Sequence, residues 1–182
     1  DIIFHAEHGV VGYGRVLTDE DREQWDFDLL NAAGQFVAPL PGMCFVDQGT
    51  TLAMARIGRV DVTVLGALQV SEKGDLANWT TTTEVSQFVI GGAMDMPIGA
   101  KKVIAAVEHT TKDGKPKVVK KCTYPLTAKR CVNMIVSDLA VIEVTRDGLV
   151  LKEIAPEWAV EEVQSLTEPQ LIIAEDLKEI EL

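Results

Sequence analysis

Three apolar, β-branched runs constrain this chain more than any other feature: VDVTVLGALQV at residues 60–70, KVIAAV at 102–107 and LAVIEV at 139–144. None approaches the ~18 residues a membrane-spanning helix needs. Residues 60–70 alternate at first and then become continuously apolar, the pattern of a strand covered on both faces. Two more strands are predicted: a buried one at residues 2–4, ending just before Glu7, and one at 35–38, stopped by Pro39 and Pro41-Gly42. The spacing predicts helices over 50–57, with a threonine as N-cap, over 128–137 as an amphipathic element, and over 160–166 with Pro169 behind it. Residues 71–74 carry turn chemistry, and Arg146-Asp147-Gly148 marks a hairpin into Leu149-Val150-Leu151. Residues 15–28 read as an acidic surface excursion, and the tail DLKEIEL as a loosely held end. Strands alternating with helices, several apolar on both faces, predict an α/β fold. Its sheet should be open, mostly parallel or mixed, and flanked by helices, in a single domain over residues 1–182.

Charge narrows the partners. Seventeen basic against 28 acidic residues give a formal charge of −11, which suits neither nucleic acid nor an anionic membrane. A phosphorylated ligand remains compatible, held by backbone N–H groups and a few local cations. Cys44, Cys122 and Cys131 have no CxxC spacing, so free thiols in a reducing, cytoplasmic setting are expected. The chain starts at Asp1 and runs directly into Ile2-Ile3-Phe4, as if a segment were missing upstream.

The stretch FHAEHGVVGYG, residues 4–14, carries the chemistry. Glu7 stands between His5 and His8 and just ahead of Gly9, Gly12 and Gly14. One reading is a plain loop carboxylate near a strand end. The other is a nucleophile: with a reference pKa of about 4.3, a glutamate is already ionised near neutral pH and can attack an activated acyl group. The glycines would then make room for a large substrate. His8 reads as a hydrogen-bonding or cationic neighbour of Glu7. His-x-Glu-His on a strand or loop does not give the one-sided geometry of HExxH on a helix, and no metal is expected.

A second constellation is FVIGGAMDM, residues 88–96. Gly91-Gly92 follows an apolar run and precedes a possible helical turn. Adjacent glycines expose backbone N–H groups, as an anion cradle or oxyanion hole requires, though a tight turn is the alternative. In the GDLANW loop, Asn78 offers an amide and Trp79 a flat apolar face; a core Trp with a capping Asn fits equally well. The four threonines 80–83 suggest no specific chemistry. Residues 112–117 read as a solvated turn with a basic rim, and Cys122 and Cys131 as small packed hydrophobes.

In order and spacing these motifs resemble the β subunit of the family I 3-oxoacid CoA-transferases, nearly from end to end. The family pattern [LF]-[HQ]-S-E-N-G stands here as Phe4-His5-Ala6-Glu7-His8-Gly9. LPGMCF, LAMARIGRVDVTVLGALQVSEKGDLANW, GGAMDM, GAKKVIAAVEHTTKDGKPK, CTYPLTAKRCV and DLAVIEV match further on. The resemblance implies a CoA-transferase (NagB/RpiA-like) fold with Glu7 as nucleophile and Gly92, with Gly91, in the oxyanion loop. It implies substrate contacts at His8, Gly9, Gly12, Asn78, Ala93 and Met94. A CoA thioester is the substrate, with no metal and no tightly bound cofactor. An α subunit is the expected partner, in an α2β2 or similar assembly.

Succinyl-CoA is the implied donor. The CTYPLT variant and the ending QSLTEPQLI favour 3-oxoadipate over acetoacetate as acceptor. An acyl-CoA hydrolase and a non-catalytic acyl-CoA-binding subunit are the competing readings. Three departures stand out: Ala6 and His8 replace the usual serine and asparagine, Val89-Ile90 replaces Gly-Met, and a segment that normally precedes the glutamate strand is missing.

Overall fold

The computed structural model describes residues 2–82 and 90–181. The chain divides into two compact units, Asp1–Arg59 and Val60–Leu182.

The first unit is built on a three-stranded antiparallel sheet of β1 (Phe4–His5), β2 (Val10–Tyr13) and β3 (Cys44–Phe45), in the order β1-β2-β3. The predicted buried strand at residues 2–4 is therefore a short hairpin arm, and it is not buried: Ile2 is 82% and Ile3 76% exposed. The acidic excursion holds a 3₁₀ turn, Asp19–Gln24, whose first residues are anchored by the Thr18–Asp21 capping box. Trp25 and Phe27 pack on Phe36, the first stacked and the second edge-on. Residues 35–38 form isolated bridges, Leu30 with Phe36 and Val16 with Val37, rather than the predicted strand. Helix α1 (Gln48–Arg56) starts earlier than predicted, and its cap is Asp47 rather than a threonine. The Asp47 carboxylate accepts from the Thr50 N–H (3.0 Å) and hydroxyl (2.6 Å), which hold its pKa below the usual value.

The second unit carries the predicted α/β architecture. Its apolar run does not continue as one strand. Strand β4 (Val62–Gly66) pairs with the Lys102–Val107 strand, and β5 (Gln69–Ser71) joins β6 (Leu76–Ala77) in a separate sheet. Between them Ala67 N–H still donates to Ala106 O, while Leu68 N–H donates to Ala77 O. The chain changes sheets within one residue. Helix α2 (Asp95–Gly99) leads to β7 (Lys102–Val107), where the prediction and the structure coincide. Next come β8 (Val118–Val119), β9 (Met134–Ser137), β10 (Ala140–Val144), β11 (Leu149–Ile154), α3 (Val160–Ser165) and β12 (Leu171–Glu179).

The main sheet has the order β12-β11-β10-β9-β7-β4. Pairs β4–β7, β7–β9 and β11–β12 are parallel, and β10 is antiparallel to both neighbours. Only β10 runs against the rest, so the sheet is mixed and mostly parallel. Val103, Ala105, Ile135, Ile142, Leu149, Leu151 and Val163 are buried at its centre. Strand β4 does not fit the prediction of cover on both faces: it is an edge strand, with Val62 49% and Val64 62% exposed.

Two further predictions give way. Residues 128–137 form an irregular segment and then strand β9, not a helix. Most of the tail expected to be loose is part of β12, held by parallel pairing with β11 and by Lys152 on Asp176 at 2.8 Å.

Beyond the carboxyl ends of β7 and β9 sits a buried polar knot. His109 is fully buried, with Nδ1 2.9 Å from Ser137 Oγ and Nε2 2.8 Å from Thr167 Oγ1. Thr167 donates its hydroxyl proton to Val163 O at 2.8 Å, so it accepts from Nε2–H, and the single Ser137 hydroxyl proton is shared between Nδ1 at 2.9 Å and Ala140 O at 3.2 Å. Ser137 Oγ in turn accepts from the N–H groups of Leu139 and Ala140. Burial lowers the His109 pKa, which favours the neutral ring.

Candidate active site

Glu7 lies in the turn that joins β1 to β2, just past a strand end as the sequence predicts. The turn is closed by its own backbone: Ala6 N–H donates to Val10 O (2.9 Å), Gly9 N–H to Ala6 O (3.0 Å), and Val46 N–H to Gly9 O (2.9 Å). Gly9 has φ +121°, and a Cβ there would stand 2.0 Å from Val46 O. The close approach that Gly9 permits is therefore made by the chain itself, not by a substrate. Gly12, at φ +79°, is required by its backbone conformation, while its Cβ position meets Met43 only at ordinary contact distance, 3.5 Å. Gly14 likewise faces its own chain, 3.0 Å from Ala38 O.

Ala6 and Gly9 are buried, Glu7 is half-buried and His8 is exposed. Among the described residues the Glu7 carboxylate has no hydrogen-bond or ion-pair partner, so His8 does not clamp it as the sequence suggests. Two other side chains of the first unit bear on the turn. Thr51 is fully buried, and its Oγ1 lies 3.8 Å from the Gly9 Cβ position. Neither that hydroxyl nor either ring nitrogen of His5 has a partner among the described residues. Desolvation lowers the His5 pKa, which favours the neutral ring. The arrangement presents an unengaged carboxylate on a turn with no room for a side chain at Gly9, in a unit that also holds buried polar atoms able to take further hydrogen bonds. Neither Thr51 nor Asp47 is singled out by the sequence reading; an Asp two residues ahead of Gly49-Thr50 is a cap signal that would have found the helix start.

The second constellation lies in the second unit. Gly91–Ala93 is a 3₁₀ turn leading into α2, the helical turn that the sequence anticipates. Gly91 has φ +57°, Gly92 is buried, Ala93 is half-buried and Met94 is exposed. Phe88 and Val89 lie outside the described residues, as do Thr83 and Glu84. Asn78 is fixed by a reciprocal pair: its N–H donates to Thr127 Oγ1 (3.1 Å), and its side-chain oxygen accepts from that hydroxyl (2.6 Å). Trp79 is half-buried, and its Nε1 has no partner among the described residues.

Cys122 and Cys131 are half-buried and free, their thiols pushed up to about 11 by burial, while Cys44 is exposed. Among the described residues no His, Cys, Asp and Glu cluster could hold a metal ion, and no helix is long and apolar enough to cross a membrane.

The chain is similar to known proteins. The coenzyme A transferase family matches residues 1–166. The β subunit of 3-oxoadipate CoA-transferase from Pseudomonas putida is 44% identical over 94% of this chain and 79% of its own. The human mitochondrial succinyl-CoA:3-ketoacid coenzyme A transferase 2 is 39% identical over 96% of this chain and 33% of its own. Among solved structures, an acyl-CoA transferase from Escherichia coli O157:H7, in a thioester complex with CoA, has a TM-score of 0.72 at 20% identity. The match covers all of this chain and 35% of that one, and it bears out the fold. With a family match over most of its length and relatives above 40% identity, the chain belongs to the coenzyme A transferases, on their β-subunit branch.

Proposed function

We propose that this chain is the β subunit of a CoA-transferase that moves CoA from succinyl-CoA to a 3-oxo acid, 3-oxoadipate ahead of acetoacetate, with Glu7 as its nucleophile. The observation that carries the proposal is the Glu7 carboxylate, half-buried on a closed turn and unengaged among the described residues. The relatives support the substrate class, since one is named for 3-oxoadipate and another for succinyl-CoA and 3-keto acids.

The chemistry needs only a carboxylate and stabilisation of negative oxygen. A Glu7 oxygen attacks the carbonyl of succinyl-CoA, and the tetrahedral intermediate collapses with loss of CoA thiolate, giving a succinyl-glutamyl anhydride. The thiolate attacks the glutamyl carbonyl and succinate leaves, so Glu7 becomes a thioester of CoA. The acceptor carboxylate then displaces the thiolate, forming a new anhydride. Attack of the thiolate on the acceptor carbonyl releases the product acyl-CoA and restores Glu7. Thioester energy is conserved throughout, so neither ATP nor metal takes part.

Each step builds a tetrahedral oxyanion, and the backbone N–H groups at Gly91 and Gly92 are the donors assigned to it. Asn78, Ala93 and Met94, with His8 and Gly12, are assigned to contacts with the pantetheine arm and the acyl group, while Gly9 keeps the turn closed beneath Glu7. Binding of the rest of CoA drives the reacting ends together. The active form includes an α subunit, in an α2β2 or similar assembly.

The test is to incubate the chain and its α partner with succinyl-CoA, trap with borohydride or hydroxylamine, and locate the change by peptide mass spectrometry. A mass change confined to Glu7 and absent in Glu7→Ala is expected. CoA binding with Glu7 unmodified would overturn the assignment, and release of free CoA without an acceptor would mark a hydrolase instead.

A further inference from the structure

The second unit contains a half-open cleft of about 800 Å³ that none of the residues assigned to the transfer chemistry lines. Its walls are the Glu72-Lys73 turn, Arg130, Val132 and Asn133, the hairpin from Val144 to Leu149, and Pro169-Gln170. Asn133 precedes β9, Leu149 opens β11 and Gln170 precedes β12, so the cleft lies at the amino ends of these parallel strands. Ligands of open α/β sheets usually sit at the opposite, carboxyl ends. Asn78 and Gly91 to Met94 do not line it.

We propose that this cleft binds a small organic phosphate, its apolar body on the apolar lining and its phosphate among Lys73, Arg130 and Arg146 at the rim. All three residues are exposed and line the cleft, and among the described residues none of them makes an ion pair. That holds although Glu72 and Asp147 line the same walls in a chain of formal charge −11. Three cations therefore stand around one opening, unneutralised, in a molecule rich in acids. Two guanidinium groups and an ammonium are suited to the several oxygens of one phosphate.

The cations sit on backbone that is already fixed. Lys73 N–H donates to Ser71 Oγ at 3.3 Å in a turn closed by Gly74 N–H on Ser71 O. Gly74 admits no side chain, because its Cβ would meet Val132 O at 2.7 Å. Arg130 is held at φ +50°, a conformation uncommon for a side chain of that size, with its N–H on Asp75 Oδ1 at 3.0 Å. Arg146 lies in a turn tied by Thr145 N–H and hydroxyl to Gly148 O. The apolar part of the lining is half-buried Val144, with the edges of the buried Val132, Leu149 and Pro169 beside it. The volume lies within the range of ~300–1,000 Å³ typical of small-molecule sites and exceeds what an inorganic anion fills.

Phenyl phosphate and inorganic phosphate are the probes, titrated into the full chain by calorimetry. Phenyl phosphate should bind saturably and more tightly than inorganic phosphate. Combining Lys73→Gln, Arg130→Asn and Arg146→Gln should weaken it at least about ten-fold, the loss expected for removing charge-assisted hydrogen bonds. Asparagine tolerates the left-handed backbone at 130. Arg146→Gln alone, at an exposed turn, should weaken binding measurably with the fold intact. Lys112→Gln, on a turn outside the cleft, should leave it unchanged. Unaltered binding in Arg146→Gln and in the combined variant would overturn the site, as would the absence of saturable binding. Equal affinity for the two probes would overturn the role of the apolar lining.

Discussion

Gly9 keeps the Glu7 turn shut. Any side chain there meets Val46 O at 2.0 Å on a backbone of φ +121°, so Gly9→Ala has to open the β2–β3 junction. A loss of about 2–4 kcal/mol is expected, the scale of overpacking added to backbone strain, and thermal unfolding of the variant would measure it. Glu7→Gln preserves the shape of the turn but removes the attacking charge. Transferase activity should fall at least ~1,000-fold, as when other catalytic nucleophiles are removed, with the melting temperature unchanged. His109 gives a pH dependence with a definite sign. Burial puts its folded pKa below the ordinary value, so below about pH 6.5 the unfolded chain binds more protons than the folded one. The stability contributed by the neutral ring is complete above that pH and is lost as the pH falls through the folded pKa. His5 acts in the same direction, so the diagnostic comparison is between wild type and His109→Gln. Urea titrations on either side of about pH 6.5 should show the smaller drop in the variant.

Strand β7 is legible because its β-branched apolar run is also its structural unit, Lys102–Val107, paired on both sides by the main sheet. The run at 60–70 hides a change of partner: nothing in its apolarity marks where hydrogen bonding passes from Ala106 to Ala77. Residues 128–137 mislead because Ala128, Cys131, Val132 and Ile135 recur at helical spacing. Pairing with β7 and β10 overrides that local signal. Strand β12 reads as a tail because Glu175, Asp176 and Glu179 interrupt it; on an edge strand such exposed charges discourage pairing with another chain. In the candidate site, the turn at Gly91–Ala93 is legible from glycine placement, whereas the Glu7 hairpin is not, because glycines that read as room for a substrate let the chain meet its own Val46 instead. Nor is the hydroxyl of Thr51 legible, because its position depends on where α1 packs. Helix α1 provides the test at this scale: Asp47→Ala removes the acceptor for Thr50 and should lower the melting temperature, while Asp47→Asn, which keeps an accepting oxygen, should restore most of it.

Across the whole chain, protection should be uneven. Native-state hydrogen exchange is expected to be slowest at Ala105, Ile135, Ile142 and Leu151, all fully buried in the main sheet. It should be fastest through residues 18–28 and the Lys112–Lys117 turn, where exposed backbone predominates. Equal protection in the two regions would contradict the burial pattern. The three thiols divide along the same line. Cys122 and Cys131 are shielded in the second unit, with thiol pKa values of about 11, and a maleimide near neutral pH should pass them by. Cys44 is exposed and stands opposite Val11, on the strand bonded to the one that follows the Glu7 turn. The molecule thus comes with a single built-in attachment point for a fluorophore, one register step from the hairpin assigned to catalysis. Arrival of acyl-CoA at that hairpin can be followed by light, without engineering a label into the chain.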